Sequence, residues 1–366
     1  MSTAAANPIA AFFASVWLQI LTVWHTGLMF IPWVRPHWGL NDMADQRGRV
    51  IVITGGNSGT GYATALAYYS RGARVLILCR SAERAAKAIA DLKRGGVANV
   101  LSEMEYTPVN EERVGTLEHI PCDLADLHSV DEAARMIAER VDRVDVLFAN
   151  AGVMGMNGRT KQGYPLQFGT NVLGHQRLMA HLLPLLRTPR PRPARIISLA
   201  SATHIQAPPG GIDYAGLDSG ADRNVWLEYS ESKWAIIALA KYVHAHYGPT
   251  CKDGVCSVPA PGEIISIAVH PGLVSTNLFM HLQTAKWLSY TFTWLLKLVL
   301  CTATIGSLNQ IWAAEVADPI ARELSGGYVW CFQERGRERV DLEAEAGTAA
   351  GETVWAWCEA QAARHE

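Results

Sequence analysis

The chain has 366 residues, of which 49% are hydrophobic and 18% are charged, and its formal net charge is -2. This length and apolar content suffice for one large α/β domain with appended segments. The near-neutral charge excludes the basic excess that nucleic-acid-binding proteins carry, so we expect no nucleic-acid partner.

The N-terminal segment is apolar and carries no Lys, Arg, Asp or Glu from Met1 to Val34. It is longer than the roughly 20 residues that cross a bilayer, and it lacks the basic start and cleavage site of a secretory signal. Residues 1–47 are therefore predicted to form a hydrophobic membrane anchor helix and linker. A spanning helix, a hairpin bent near Pro32 and a helix packed in the core all stay open. Basic residues follow the apolar stretch and place the body on the cytoplasmic side by the positive-inside rule: Arg35, Arg47 and Arg49.

A strand, a glycine-rich turn and a helix come next. Residues 49–54 are a β-branched run that predicts a buried parallel strand, and residues 62–69 have helical periodicity. Between them, Gly55 permits a tight turn, Gly59 lets backbone N–H groups approach a pyrophosphate, and Gly61 allows close helix packing. The helix N-terminus adds partial positive charge. This order is typical of a dinucleotide-binding fold.

The rest of the chain repeats the alternation of strands and helices. Asn171 lies on a predicted helix after the fourth strand, and the third strand ends near Asp123. Further strands are predicted at residues 74–79, 144–149, around 196–197 and at 264–269. The fold class is therefore α/β, a Rossmann-type doubly wound parallel sheet flanked by helices, over residues 48–335.

Tyr229 and Lys233 lie one helical turn apart, so their side chains share a helix face. An ammonium beside a phenol is expected to lower the pKa of the phenol toward physiological pH. A phenol adjusted in this way passes a proton to a developing alkoxide.

Three motifs carry a resemblance to a known family: Thr54-Gly55-x-x-x-Gly59-x-Gly61, Asn150-Ala151-Gly152 and Tyr229-x-x-x-Lys233. In their order and spacing the chain resembles the short-chain dehydrogenases/reductases, from about Gly48 to Phe332. Residues 166–175 and 195–204 look most like the branch of retinol dehydrogenase and protochlorophyllide reductase. The resemblance implies an oxidoreductase that transfers hydride between a nicotinamide and a lipophilic carbonyl or alcohol. A retinoid, a sterol, a long-chain ketone and a polyketide remain open as substrates.

The resemblance also implies the roles of the catalytic residues. Tyr229 donates the proton, Lys233 binds the nicotinamide ribose, and Asn171 holds a water that links Lys233 to solvent. Ser201, near the end of the fifth strand, hydrogen-bonds the carbonyl oxygen; Ser198 is the rival but lies inside the strand. The expected catalytic set is Asn171, Ser201, Tyr229 and Lys233.

The cofactor is expected to be NADP(H), because Arg80 follows the second strand where NAD enzymes carry an acidic residue. Arg80 and Ser81 are candidates for the 2′-phosphate. Asp123 is expected on the adenine amino group, and an N-cap for the next helix is its alternative. No metal site is expected. The expected cofactor-binding residues are Thr54, Gly55, Asn57, Ser58, Gly59, Thr60, Gly61, Arg80, Asp123, Leu124, Asn150, Ala151, Gly152, Tyr229, Lys233, Pro271, Gly272, Val274 and Thr276.

Other segments extend the catalytic domain. Residues 286–302 are predicted to form an apolar lid or a membrane-contacting segment, with core packing as the alternative. Residues 336–366 are predicted to form a C-terminal helical extension, and residues 101–119 a hydrated surface insertion. Cys251 and Cys256 are interpreted as loop cysteines, although a metal site or a disulfide stays possible.

These features together predict a membrane-associated enzyme of the endoplasmic reticulum or of lipid droplets, with its catalytic domain facing the cytoplasm. A homodimer is one option for its assembly. The alternative function is a catalytically idle NADP(H)-binding sensor or scaffold at a membrane. The joint presence of Asn171, Ser201, Tyr229 and Lys233 argues against that alternative.

Overall fold

The protein is described here by a computed structural model that covers residues 38–94, 114–252, 255–256, 260–272, 274, 302–330 and 333–365. The predicted anchor at residues 1–37, the core of the predicted lid at residues 286–301 and Thr276 lie outside these residues. Among the helices that are described, none combines the length and the apolar composition needed to cross a bilayer.

An eight-stranded sheet forms the centre of the fold, in the order β10-β9-β8-β5-β4-β1-β2-β3. Seven of these strands run parallel, and only β10 pairs antiparallel, with β9 at one edge. A separate two-stranded hairpin is made by β6 and β7. The strands are β1 (Val50–Thr54), β2 (Arg74–Cys79), β3 (Thr116–Pro121), β4 (Val146–Ala149), β5 (Ala194–Leu199), β6 (Cys251–Lys252), β7 (Val255–Cys256), β8 (Ile264–Val269), β9 (Tyr328–Trp330) and β10 (Glu334–Arg335).

Helices cover both faces of the sheet, which confirms the predicted Rossmann-type fold. A π-helical turn at Gly169–Leu173 joins α4 to α5. Short 3₁₀ segments lie at Leu40–Asp42, Ala202–Gln206, Val340–Leu342 and Ala363–His365. The helices are α1 (Gly59–Ser70), α2 (Ala82–Lys93), α3 (Leu127–Ala138), α4 (Leu166–Phe168), α5 (Gly174–Leu186), α6 (Tyr214–Asp218), α7 (Val225–Tyr247), α8 (Ala303–Glu315), α9 (Asp318–Leu324) and α10 (Ala344–Ala362).

The strands divide the core into two layers because successive side chains point to opposite faces. Ile51 and Ile53 are buried on the side of α1, α2, α8 and α9, whereas Val52 is buried on the side of α3, α5, α7 and α10. Since both faces are covered, the central strands β1, β4 and β8 are mostly apolar, as buried parallel strands are. This two-sided burial leaves the carboxyl ends of the strands as the open edge.

Some predicted boundaries differ from the structure. The fourth strand begins at Val146, not at residue 144, and α1 begins at Gly59, inside the predicted turn. Glu118, assigned to the surface insertion, lies in β3, where its carboxylate accepts a hydrogen bond of 2.7 Å from Arg74. Cys251 is disulfide-bonded and stands opposite Cys256 in the β6–β7 hairpin, so its interpretation as a plain loop cysteine was wrong.

The C-terminal helix is part of the domain, not an appendage on its surface. Trp355 of α10 stacks on Tyr242 of α7, with ring centroids 4.3 Å apart and planes at 13°. Val354 and Cys358 of the same helix are fully buried. Gly351 permits this close approach, since a Cβ there would lie 2.5 Å from the carbonyl oxygen of Ala238 on α7.

We therefore expect Gly351→Val to destabilise the protein. The added side chain overlaps the α7 backbone, and overpacking of this kind costs about 1–3 kcal/mol. The free energy of unfolding, measured by urea denaturation, reports the change. Ala349→Val, at an exposed position on the same helix, is the matched control and is expected to change stability by less than about 0.5 kcal/mol. Equal effects of the two variants would contradict the packing described here.

Candidate active site

A cavity of about 660 Å³ opens at the carboxyl edge of the sheet, where open α/β sheets bind ligands. Most of the predicted site residues line it. Three do not, namely Asn57, Gly61 and Asn171, and Thr276 lies outside the described residues. The predicted residues that line the cavity are Thr54, Gly55, Ser58, Gly59, Thr60, Arg80, Asp123, Leu124, Asn150, Ala151, Gly152, Ser201, Tyr229, Lys233, Pro271, Gly272 and Val274.

The turn between β1 and α1 depends on its glycines. Gly55 and Gly59 have φ angles of +68° and +57°, a region that glycine enters without steric cost. A Cβ at Gly61 would lie 2.4 Å from the carbonyl oxygen of Gly55, which confirms the predicted close packing of helix against turn. The first residues of α1, Gly59 and Thr60, line the cavity, so the partial positive charge of the helix N-terminus lies at its wall, a favourable setting for a phosphate.

Thr54 and Asn150 join the ends of β1 and β4. The Thr54 hydroxyl accepts hydrogen bonds from the backbone N–H groups of Asn150 and Ala151, at 2.9 and 3.0 Å. The side-chain amide of Asn150 donates to the Thr54 carbonyl at 2.9 Å, and its oxygen accepts from the Thr60 hydroxyl at 2.7 Å. The prediction that Asn150 links the strand ends is confirmed. Thr54 contributes to the same link between β1 and β4 at the cavity wall.

The far end of the cavity is formed by the ends of β2 and β3. Arg80 is exposed there, whereas the Ser81 hydroxyl caps α2 by accepting from the N–H of Arg84 at 3.2 Å. Asp123 accepts a hydrogen bond from the N–H of Ala125 at 3.0 Å. The residue at the N-cap of α3 is Asp126, so the N-cap interpretation of Asp123 was wrong.

Helix α7 presents Tyr229 and Lys233 to the cavity. The helix begins after Asn224, whose side chain accepts from the N–H groups of Trp226 and Leu227. Both reactive side chains are buried, and the Lys233 Nζ atom lies 5.5 Å from the centroid of the Tyr229 ring. Lys233 Nζ also donates a hydrogen bond of 2.7 Å to the carbonyl oxygen of Leu199, at the end of β5.

Burial dominates the pKa of both groups. It raises the pKa of Tyr229 to about 12, against which hydrogen bonding with Ser201 acts, and it lowers the pKa of Lys233 to about 7. The expected lowering of the Tyr229 pKa by the ammonium is therefore wrong for the protein alone. Desolvation of the phenol outweighs its hydrogen bond with Ser201, and burial makes Lys233 itself easier to deprotonate.

Ser201 stands at the end of β5, as predicted, and begins the 3₁₀ segment that follows it. Its hydroxyl accepts from the N–H of Thr203 at 3.3 Å, and the residue lines the cavity. Ser198 is buried within β5 and does not line the cavity. The structure thus favours Ser201 over its rival.

Asn171 lies in the π-helical turn and is fully buried. Its side-chain oxygen accepts from the N–H of Val153 at 2.8 Å, and its nitrogen donates to the carbonyl of Val153 and the hydroxyl of Ser232, at 3.0 and 3.1 Å. The side chain thus bonds to protein groups and ties the loop after β4 to α7.

Three buried polar residues near the cavity were not assigned a role from the sequence. His175 contacts the Thr54 hydroxyl at 2.9 Å, and burial lowers its pKa to about 4, so it is neutral at physiological pH. Gln167 and Glu228 are buried between α4 and α7 and bond to backbone groups. The available signal was the presence of polar residues inside apolar stretches, which predicts that they have hydrogen-bond partners.

The residues present fit a nicotinamide dinucleotide. The Lys233 ammonium has three donors and gives one to Leu199, so it retains donors for ribose hydroxyls. The glycine turn and the N-terminus of α1 line the cavity, an arrangement suited to a pyrophosphate, and Arg80 is an exposed residue of the cavity lining.

Comparisons with known proteins agree with this geometry. The family model of the short chain dehydrogenases matches residues 49–108 and 102–287. A short-chain dehydrogenase/reductase of Armillaria gallica is 32% identical over 351 residues, covering 91% of this chain and 96% of that protein. Human retinol dehydrogenase 14 is 31% identical over 283 residues, 77% of each chain. The solved structure of an uncharacterised protein of Mycobacterium paratuberculosis gives a TM-score of 0.60 at 25% identity and covers 89% of this chain and 97% of its own.

The buried ammonium makes a prediction about stability without nucleotide. The folded pKa of Lys233 lies below its ordinary value of 10.5, so the unfolded chain binds more protons between these two values. The full free-energy cost of burying the charged lysine is therefore present below about pH 7. This cost declines as the pH rises above that value, because the folded protein then buries a neutral amine. We expect Lys233→Met to be more stable than the wild type near pH 6, and its advantage to shrink by up to about 1.4 kcal/mol per pH unit above pH 7.

Urea denaturation at several pH values from about 6 to about 9 measures this difference. The exposed Lys87→Met serves as control, and its stability difference from wild type is expected to stay near zero at every pH. A difference between Lys233→Met and wild type that is constant with pH would show that the ammonium is not desolvated as described.

Proposed function

Because the chain belongs to the short-chain dehydrogenases, in the branch of the retinol dehydrogenases, and is an oxidoreductase of that family, we propose that it reduces or oxidises a lipophilic substrate with NADP(H) at a membrane. The observation that carries this proposal is the convergence of Ser201, Tyr229 and Lys233 on the cavity that the glycine turn also lines. Two of these residues come from α7 and one from the end of β5, so the fold itself assembles the set.

In the proposed mechanism, the bound nicotinamide supplies the hydride for reduction of a carbonyl carbon. The Ser201 hydroxyl donates a hydrogen bond to the carbonyl oxygen and polarises it. Tyr229, which holds its proton at neutral pH, transfers it to that oxygen as negative charge develops there. Lys233, when charged, stabilises the resulting phenolate and orients the ribose. Oxidation of an alcohol uses the same groups in reverse.

NADP(H) is favoured over NAD(H) by the charge at the end of β2. Arg80 is exposed at the cavity margin, where a guanidinium forms charge-assisted hydrogen bonds with a phosphate. No carboxylate occupies the position directly after β2, where NAD-specific folds carry one for the ribose hydroxyls. Ser81 accepts from the N–H of Arg84 at the start of α2, which leaves its own O–H to donate to the same phosphate.

A lipophilic substrate is supported by a group of apolar side chains that line the same cavity as Tyr229, called here the apolar wall. Trp226 is its exposed member, and the apolar wall consists of Met154, Met156, Leu166 and Trp226. Human retinol dehydrogenase 14, by its name, acts on an apolar alcohol. The apolar stretch before residue 35 supports attachment to a membrane, with the endoplasmic reticulum and lipid droplets as candidate sites and the catalytic domain on the cytoplasmic side.

The direct test is consumption of NADPH by the purified full chain in detergent, with a panel of hydrophobic ketones and aldehydes. We expect turnover of at least one apolar carbonyl and little turnover of small hydrophilic ones. Tight NADPH binding without turnover of any compound would instead support the idle sensor.

Tyr229→Phe is expected to lower turnover by at least about 100-fold, since general acid catalysis contributes on that scale. NADPH affinity should stay within about twofold of the wild type, because the ring and its packing are kept. Steady-state kinetics and fluorescence titration measure the two quantities. Tyr69→Phe, on α1 away from the cavity, is the control and should behave as the wild type. Unchanged turnover in Tyr229→Phe would refute its role as proton donor.

Arg80→Ala is expected to weaken NADPH binding by about 10- to 100-fold, the equivalent of one or two lost hydrogen bonds to a charged group. NADH affinity should change little, because NADH lacks the 2′-phosphate. Isothermal titration with both nucleotides measures the ratio. Lys87→Ala removes an exposed positive charge in the middle of α2, which does not line the cavity, and should leave the ratio unchanged. Equal losses for NADPH and NADH would rule out recognition of the 2′-phosphate by Arg80.

A further inference from the structure

A buried carboxylate stands directly before the proton donor on α7. Glu228 is only 4% exposed, and its Oε1 atom accepts hydrogen bonds from the backbone N–H groups of Gln167 and Phe168, at 2.6 and 3.2 Å. These N–H groups belong to the first turn of α4, where Pro165 occupies the N-cap and offers no side-chain cap. Glu228 therefore caps α4 from a different helix, and its negative charge suits a helix N-terminus.

Gln167, on α4, makes two further hydrogen bonds in the same region. Its side-chain nitrogen donates to the carbonyl of Val225 at 2.8 Å, at the start of α7. Its side-chain oxygen accepts from the N–H of Gly155 at 2.9 Å, in the loop after β4. Since Gln167 is fully buried, loss of either bond would leave a polar group without compensation.

Together with the hydrogen bonds of Asn171, those of Glu228 and Gln167 link three segments: the loop after β4, the α4 and π-helical stretch, and the first turns of α7. Each segment supplies part of the apolar wall of the cavity. Met154 and Met156 lie on the loop, Leu166 begins α4, and Trp226 lies in the first turn of α7, two residues before Glu228. The position of the wall relative to Tyr229 therefore depends on a few buried hydrogen bonds that no cavity-lining side chain makes.

We propose that Glu228, with Gln167, is a positioning residue that holds the apolar wall against the Tyr229 hydroxyl and so determines how tightly an apolar substrate is bound. This inference rests on the proposed function for its substrate. Neither Glu228 nor Gln167 lines the cavity, so both act through the residues they hold.

The first test uses Glu228→Ala, Glu228→Gln and amide hydrogen exchange of the full chain without substrate. Because both bonds go to Oε1, the amide oxygen of glutamine can accept them, and Glu228→Gln is expected to resemble the wild type. Glu228→Ala should exchange at least about tenfold faster at Gln167, Phe168 and Gly155, with the sheet unaffected. Faster exchange across the whole sheet, or equal effects of both variants, would overturn the proposal.

The second test is kinetic. With an apolar carbonyl that the wild type reduces, Glu228→Ala should raise KM about tenfold, while NADPH affinity and kcat stay within about twofold. Lys241→Met is the matched control, since Lys241 is a buried charge on α7 that pairs with Glu338 at 2.6 Å, away from the wall. It is expected to leave KM unchanged. A loss confined to kcat, or a KM that does not change, would contradict a positioning role.

If Glu228→Ala does not fold, Gln167→Met removes the bonds to Val225 and Gly155 at similar volume and should give the same exchange and KM pattern. Hydrogen exchange needs no turnover, so it separates failure of this inference from failure of the proposed function. Absence of activity toward every carbonyl would refute the proposed function. The local hydrogen exchange of the Glu228 variants would still show whether Glu228 holds α4 and the loop after β4 in place.

Discussion

The burial of the Lys233 ammonium is the constraint on which the rest of the site depends. A charge removed from water is costly unless it is paired, and the hydrogen bond described for Lys233 goes to the neutral carbonyl of Leu199. The cost appears as a Lys233 pKa of about 7. Burial of the neighbouring phenol separately raises the pKa of Tyr229 to about 12. Perturbed groups of this kind cluster at functional sites, and a ligand with oxygen atoms would accept hydrogen bonds from this ammonium.

The fold supports that constraint with close contacts between backbone segments. At one end of the cavity, the glycine turn packs on Asn150 so tightly that a single Cβ at Gly61 would collide with both. Behind α7, the stacking of Trp355 on Tyr242 and the fit of Gly351 against Ala238 fix the helix that carries Tyr229 and Lys233. Elements distant in the chain thus fix both the cofactor end of the cavity and the helix that carries Tyr229 and Lys233.

The sequence predicted the parts of the site that local rules determine. The glycine turn, the order of strands and helices, the choice of Ser201 over Ser198 and the linking role of Asn150 all follow from short motifs and strand periodicity. The hydrogen bonds of Glu228 and Gln167 could not be predicted, because they join residues about 60 positions apart through backbone groups. The Tyr229 pKa was mispredicted because spacing on a helix reports proximity and not desolvation, and the packing of α10 was underestimated because its contacts are all non-local.

The central claim is that Tyr229 and the nicotinamide share one cavity and act on one carbonyl. The most direct measurement is the fate of the hydride: the full chain is incubated with NADPH deuterated at C4 and an apolar ketone, and the product alcohol is analysed by mass spectrometry and NMR. The account predicts one deuterium on the carbinol carbon and a proton from solvent on its oxygen. Consumption of NADPH that leaves the alcohol without deuterium, or with deuterium at any other carbon, would contradict it.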